Sequence, residues 1–388
     1  MNASTSTSAP LAVVGAGPVG LAAALAAHSL GLEPVLLEAQ PRGAARPGSR
    51  AIFIHRATLN RLDRIRPGLS AEISGRGLVW DTKRTLWAGR QVHLRSYPTT
   101  PATAPFSSLP QTVVEDVLRR ACDDAGIRSV WGDPVADVDS GADGVRLRTR
   151  SGATYEAGHV IAADGSRSTV RERAGIALRG STSETEFVVI DVADGPVRAS
   201  AERIFHYRHP GVAGRNVLLV PFRGGWRVDV QCRPGDDAAR LVANAPRWLP
   251  RVLPQVPEPE ITWSSVYRFQ QRLADRFADA PGRVLLAGEA AHLLPPFGAR
   301  GMNSGISDAV SAAAAVREGS VAEYARARQA AAEGNIRAAG AALDHLLAAR
   351  PAQRGRQWAA AALAPLWPKA GHWLDAAPYG PQIRKLTY

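Results

Sequence analysis

Apolar residues run along this chain in short blocks broken by Gly and Pro, and the spacing within the blocks changes from one region to the next. Leu11 to Val14 is wholly apolar and predicts a short buried strand. Gly15-Ala16-Gly17-Pro18-Val19-Gly20 then predicts a turn, and Leu21 to Leu30 an Ala/Leu helix closed by Gly31. Pro34 to Leu37 predicts a second strand, ended by Glu38, so the start of the chain is a βαβ unit. The first ten residues are polar and are expected to fray. The stretch Leu11–Leu37 is neither a leader nor a span: no basic residue precedes it, Gly and Pro interrupt it, and Glu33-Pro34 breaks it.

Residues 50–65 read as a strand leading into a helix, and Gln111 to Ala125 as a helix stopped by Gly126. From 127 to 163 the pattern alternates, as in Val145-Arg-Leu-Arg-Thr, with turns at Ser140-Gly141 and Ser151-Gly152. That predicts a small antiparallel meander, with His159 to Ala163 a buried strand ending at Asp164-Gly165. Between 180 and 270, Val188–Val192, Arg203–Tyr207, Val217–Val220 and Trp226–Cys232 are β-like and predict a separate sheet. Arg283–Ala287 is another apolar strand, and two Ala-rich helices follow around 302–316 and 321–349. The segment 351–388 carries Trp358, Trp367 and Trp373, read as anchors that dock the C-terminus. No repeat or low-complexity tract is present.

Composition narrows the class. The chain has 388 residues, 45% hydrophobic and 21% charged, enough for a globular protein with two interleaved parts. Two cysteines, Cys122 and Cys232, exclude a disulfide framework and a cysteine-rich zinc module, and fit the cytoplasm. The net charge is +12, carried almost wholly by arginine, since Lys83, Lys369 and Lys385 are the only lysines. The arginines are scattered rather than set in a stripe with aromatics, so nucleic acid is not an expected partner. A cationic protein does attract anionic cofactors and substrates.

Chemistry enters with Gly15-x-Gly17-x-x-Gly20 and Glu38, eighteen residues beyond the last glycine. Gly15 permits the tight turn, Gly17 lets backbone approach a pyrophosphate, and Gly20 allows close packing of helix on sheet. Pro18, Val19 and Gly20 open the helix whose N-terminus would face the phosphates. Glu38 would accept from ribose hydroxyls. This predicts a dinucleotide site but does not choose FAD over NAD.

Two later segments do choose. Val160-Ile-Ala-Ala-Asp164-Gly165-Ser-Arg167 puts an acid and an arginine just past a strand end. Val284-Leu-Leu-Ala-Gly288-Glu289-Ala-Ala-His292-x-x-Pro295-Pro296-x-Gly298-Ala-Arg300-Gly301-Met302-Asn303 puts a second acid past another strand, before a glycine-rich loop and a helix. With these three motifs in this order, the sequence resembles the class A flavoprotein monooxygenases of the para-hydroxybenzoate hydroxylase family over nearly its whole length. Gly224-Gly-Trp-Arg-Val-Asp-Val-Gln resembles that family's substrate-domain strand more weakly.

The resemblance implies an α/β fold: a Rossmann-like FAD-binding domain with an inserted β-sheet substrate domain and C-terminal helices. The expected FAD-binding parts are 1–75, 105–180 and 270–388, and the expected substrate parts 76–104 and 180–270. By resemblance Arg50 and Gln111 sit by the flavin, Asp164 is the acid tied to FAD and NAD(P)H, and Glu289 meets a ribityl hydroxyl where the family usually has Asp. Pro296 lies on the substrate side of the flavin, and Gly301, Met302 and Asn303 begin the helix facing its pyrimidine edge. Arg300 adds a positive charge there, which with Pro296 makes the expected catalytic pair. No metal is expected. His292 reads as packed and hydrogen-bonded rather than as a base.

The implied reaction consumes NADH or NADPH and O2 and inserts one oxygen through a C4a-hydroperoxyflavin, most simply into a phenolic ring. A base is expected on the substrate sheet. His206 and Tyr207 are candidates, and strand alternation places them on opposite faces, so at most one points inward. The same fold also supports epoxidation, Baeyer–Villiger oxidation or tailoring of a natural-product scaffold, and a reductase or dehydrogenase without oxygen insertion stands as a further alternative. No second GxGxxG follows a strand, so the nicotinamide cofactor is expected to bind transiently. The expected partner is a small aromatic molecule, with no membrane, and the chain a monomer or homodimer.

Overall fold

The computed structural model describes residues 6–44, 53–96, 106–193, 202–256 and 258–380. Among these, seven strands form a first sheet in the order Ser129–Trp131, Pro34–Glu38, Ser6–Val14, Thr154–Ala162, Gly144–Thr149 and Val135–Gly141, with Val284–Leu286 also paired to Thr154–Ala162. Its centre is parallel: Leu11 lies opposite both Pro34 and His159, and Val160 opposite Val284. Parallel strands covered on both faces need apolar residues at every position, and Leu11, Ala12 and Val13 are fully buried.

Three expectations change here. The polar N-terminal stretch is not frayed from Ser6 on, because Ser6 to Ala9 pair with Thr154 to Ala157. The antiparallel meander expected in 127–163 forms from Val135–Gly141, Gly144–Thr149 and Thr154–Ala162, but Ser129–Trp131 lies outside it, parallel to Pro34–Glu38. The first helix starts at Pro18 rather than Leu21, with proline at the position where a missing N–H costs nothing. It ends as expected at Gly31, where the Gly31 and Leu32 amides donate back to His28 and Ala27. This helix is buried against the helices Gln111–Asp124 and Arg300–Glu318.

A second sheet has eight strands among the described residues, in the order His292–Leu293, Ile261–Ala274, Leu178–Ala193, Gly225–Gln231, Arg215–Phe222, Glu202–His209, Thr82–Trp87 and Arg90–Ser96. Alternation gives it two faces. Val188, Ile190, Val192, Val228 and Val230 point one way and pack with Trp248 and Leu249 of the helix Ala245–Val252. Phe187, Val189, Arg227, Asp229 and Gln231 point the other way, into a cavity.

The long helix Val321–Leu347 and the helices Pro351–Leu363 and Pro368–Ala376 close one end of that second face, where Leu346, Ala361 and Leu374 pack on Trp87 and Tyr207. Asp375 fastens the last helix: its carboxylate accepts from Lys83 Nζ and Thr85 Oγ1, both at 2.8 Å. The three tryptophans behave differently. Trp373 packs on His345, Trp358 touches Trp87 yet is 51% exposed, and Trp367 is 54% exposed, so the anchor reading fits Trp373 best. No helix among the described residues is long and apolar enough to cross a membrane.

Candidate active site

The glycine turn is built by close backbone approach. Gly15 has φ +100°, and its amide donates to Leu37 O at 2.7 Å. A Cβ there would lie 2.4 Å from Ala163 O, and one at Gly20 would lie 1.7 Å from Gly15 O. The strand end Ala163-Asp164 therefore leans directly on the turn. Gly17 caps the helix Pro18–Ser29 without a side-chain hydrogen bond, so the helix N-terminus stays open to an anion. Glu38 is buried, and its two oxygens accept from the Ala16 amide at 2.6 Å and the Gln40 amide at 2.9 Å.

Asp164 is used locally. Its carboxylate accepts from Ser168 Oγ and from the Val170 amide, capping the short helix Thr169–Arg173. Burial raises its pKa against these hydrogen bonds. Arg171, buried in the same helix, donates to Ser166 O at 3.3 Å and Ala290 O at 3.2 Å, joining this loop to the one that carries Glu289.

That third loop follows Val284–Leu286. Gly288 has φ +63°, and a Cβ on it would meet Val19 at 2.9 Å. Gly305, in the helix Arg300–Glu318, comes as close to Val19 and to Gly288. His292 is buried, with Nε2 2.7 Å from Asp308 Oδ2. Ala299 adopts a left-handed conformation and starts the helix Arg300–Glu318 without a side-chain cap. Asn303 clamps that start: its Oδ1 accepts from the His55 amide and its Nδ2 donates to Phe53 O and Ala299 O.

A cavity of about 340 Å³ opens between this helix start and the second sheet. Its walls are aromatic. Phe53, Trp80 and Phe106 form one cluster with ring centroids 4.4–5.8 Å apart, and Phe187, Phe269 and Phe297 a second. Within this lining Arg227 donates through Nε and an Nη to the two oxygens of Asp191, both at 2.8 Å. His55 Nε2 sits 3.0 Å from Gly298 O, and burial holds its pKa low. Asp229 Oδ1 and the Tyr379 hydroxyl are both sealed from solvent with no hydrogen-bond partner. Burial pushes the Asp229 pKa up to about 6, with Asp191 adding and Arg227 and Arg203 opposing.

The structure gathers the predicted residues into two connected groups. Gly15, Gly17, Pro18, Val19, Gly20, Glu38 and Asp164 surround the glycine turn. Gln111, Glu289, Pro296, Gly301 and Met302 line the cavity. Arg50 lies outside the described residues. Arg300 does not line the cavity; its guanidinium turns to Asn335 Oδ1 at 3.1 Å and Tyr379 O. Asn303 likewise spends its side chain on backbone, leaving its place at the helix start as its contribution. His206 and Tyr207 do face opposite ways, but neither reaches the cavity. His206 Nε2 accepts from the Gly89 amide, and the Tyr207 hydroxyl donates to Leu374 O. Asp229 and His55 were not singled out in the sequence. Asp229 did leave a signal: Arg227, Asp229 and Gln231 recur at every second position of an otherwise apolar strand.

The donors fit a dinucleotide: side chains at Gly15 and Gly20 would fill the cradle, the first helix is uncapped, and an acid closes the second strand. Comparison with known proteins agrees. Residues 8–337 match the family described as FAD binding domain. The chain is 34% identical to a 6-methylpretetramide 4-monooxygenase of Streptomyces rimosus over 317 residues, covering 78% of this chain and 54% of that one. It is 32% identical to a para-nitrophenol 4-monooxygenase of Pseudomonas sp. (strain WBC-3), covering 76% and 75% respectively. The crystal structure of the p-nitrophenol 4-monooxygenase PnpA from Pseudomonas putida DLL-E4 superposes with a TM-score of 0.78 at 27% identity, covering 97% of this chain and all of that one. The chain spans about half the length of several other curated relatives, 53–57% for most of the hydroxyphenylpropionate hydroxylases.

Proposed function

The chain belongs to the FAD-binding-domain family of class A flavoprotein aromatic monooxygenases, and from that premise we propose that it uses NAD(P)H and O2 to hydroxylate a phenolic ring. The observation that carries the reading is one of continuity. The uncapped helix start at Ala299–Met302, Pro296 and the aromatic face of the second sheet all border one cavity, and the glycine turn is joined to it through Gly288 and Val19.

When bound, FAD would accept a hydride from the nicotinamide and supply the electrons that activate O2. The protein's part is to hold, orient and dry the site. Gly15, Gly17 and Gly20 let backbone meet the pyrophosphate, and Glu38 takes the ribose. The first N–H groups of the helix Arg300–Glu318 have no partner within it. They would hold the cofactor's anionic edge, a contact worth about 0.3–2 kcal/mol. Glu289 and Gln111 offer polar contacts to the cofactor's middle. The two aromatic clusters exclude water from the reacting centre and sandwich a flat substrate.

One comparison favours a substrate larger than a single ring: the relative at 34% identity is a 6-methylpretetramide 4-monooxygenase. Tailoring of a polycyclic phenol is the second reading. Both are tested by anaerobic reduction of the FAD-loaded protein with NADH, then NADPH, with and without pooled mono- and polycyclic phenols. The proposal expects a pool component to accelerate reduction and, in air, oxygen uptake matched by hydroxylated product. Oxygen uptake that yields only peroxide with every pool would leave a reductase.

A further inference from the structure

The loop between Pro296 and the helix Arg300–Glu318 is held in an unfavourable shape. Gly298 and Ala299 are both left-handed, at φ +78° and +53°. Glycine adopts that region freely, but alanine does so only at a cost. Such a residue keeps its conformation where its surroundings over-determine it. One tie lies within the loop: the Ala299 amide donates to Pro296 O at 2.9 Å. Further ties come from two side chains outside it, Asn303 in the helix and His55 at the end of the strand Phe53–His55.

His55 acts through both its backbone and its ring. Its amide donates to Asn303 Oδ1 at 2.9 Å, and Asn303 Nδ2 donates in turn to Ala299 O at 2.8 Å. Its ring Nε2 lies 3.0 Å from Gly298 O. A carbonyl oxygen only accepts, so Nε2 carries the proton and donates. The ring is turned to this loop although His55 opens the helix Arg56–Ile65, which receives no side-chain cap from it. Burial lowers the pKa of the ring and Arg300 adds to this, against the Gly298 hydrogen bond, so the ring is neutral. Gly298, Ala299, Gly301 and Met302 all line the cavity. What fixes this turn therefore fixes where the first amides of the helix point.

We propose that His55 is a positioning residue for the flavin: its Nε2–H, by holding Gly298 O, keeps the turn at Ala299 left-handed and aims the helix amides at the cofactor's anionic edge. The proposal rests on the reading above, in which that helix start faces the cofactor. No bond forms or breaks at His55, and its effect is electrostatic. Amides aimed at that edge favour the flavin form with more negative charge. Losing the tie should therefore lower the reduction potential of the flavin, which a merely structural contact would not do.

The test compares His55→Gln, whose side-chain amide can donate to Gly298 O, with His55→Leu, which fills the place without a donor. The amide of residue 55 remains available to Asn303 in both. The midpoint potential of each FAD-loaded protein is measured at neutral pH, and each apoprotein is melted. One neutral hydrogen bond corresponds to about threefold to tenfold in an equilibrium constant. His55→Leu should hold reduced FAD less tightly than oxidised FAD by that factor relative to wild type, lowering the two-electron potential by about 15–30 mV. His55→Gln should recover most of the shift. Heteronuclear NMR of the histidine rings needs no variant to fold, and in FAD-loaded wild type it should show His55 as the neutral Nε2–H tautomer. An unchanged potential in His55→Leu, whatever its melting temperature, overturns the proposal and leaves the cofactor reading standing. So does an equal shift in both variants, or a wild-type His55 protonated at Nδ1. Wild type that takes up no FAD overturns the cofactor reading, and the His55 proposal with it.

Discussion

His292 Nε2 and Asp308 Oδ2 are 2.7 Å apart, and the same Asp308 oxygen accepts from the Gly288 amide at 3.1 Å. A histidine in the loop and an aspartate in the following helix thereby hold the glycine turn on which Val19 rests. Asp308 is fully buried, and its other oxygen accepts from Arg328 Nε at 2.6 Å. The histidine is part of the positioning of the cofactor loop, one contact removed from any chemistry.

Asp308→Asn should therefore be severe. It leaves Arg328 as a buried cation without its counter-charge, which costs about 3–5 kcal/mol, and it loosens the loop that presents Glu289. Burial alone would raise the Asp308 pKa, but Arg328 and His292 together hold it below the ordinary carboxylate value. Its contribution to stability is thus complete above the unfolded pKa and lost as pH falls through the folded one. Thermal melts against pH should show wild type losing its advantage over Asp308→Asn on the acid side. A parallel loss at every pH would show that the ion pair is not the source.

At the glycine turn, Gly15→Ala forces a Cβ into Ala163 O at a positive φ. Steric overlap and the left-handed conformation together cost about 2–5 kcal/mol. Purified Gly15→Ala should lack the flavin absorbance of wild type and regain little of it with added FAD. Glu38→Ala should be milder. It strands the Ala16 amide, at about 1–3 kcal/mol, so FAD should bind weakly and wash out on dialysis. Full flavin retention in both variants would remove this loop from the cofactor site.

These two sites also show what a sequence carries. The Gly15–Gly20 loop was legible because its constraints fall within six residues and one short strand. Asp229 was half legible. The polar alternation of Arg227, Asp229 and Gln231 shows in the strand, but that Arg227 pairs with Asp191 rather than with Asp229 depends on register between strands thirty-six residues apart. Arg300 is a related case. Its neighbours Gly301 and Met302 line the cavity, while its long side chain reaches across to Asn335 on the next helix. The strand Ser6–Pro10 was read as frayed because its partner, Thr154–Ala157, is distant in the chain.

Tyr207 tests the same point from the other side. Alternation correctly separates it from His206, but the face it shares is covered there by Leu374 and His345. Burial raises the phenol well above its ordinary pKa and, with Arg356, lowers His345 to about 4, so the pair is neutral and closed off. Tyr207→Phe should cost about 1–3 kcal/mol of stability and leave the pH profile of hydroxylation unchanged. A lost or shifted limb in that profile would return Tyr207 to the catalytic group.

Asp229 shows its electrostatics in stability. The folded carboxyl titrates near 6 and the unfolded one near 3.8, so between those values the folded state holds more protons. Stability contributed by the protonated group is then lost as pH rises through that window, and above it wild type carries a charge that Arg227 and Arg203 offset only in part. Asp229→Asn should therefore melt above wild type at neutral pH, by about 1–3 kcal/mol, with the gap closing toward the acid end. This opposes the behaviour of Asp308→Asn, because Arg328 and His292 outweigh burial at Asp308 while Arg227 and Arg203 do not at Asp229. Melting curves of the two variants against pH separate the roles without any substrate in hand. If the Asp229→Asn curve runs parallel to wild type from acid to neutral pH, then Asp229 titrates as an ordinary carboxylate.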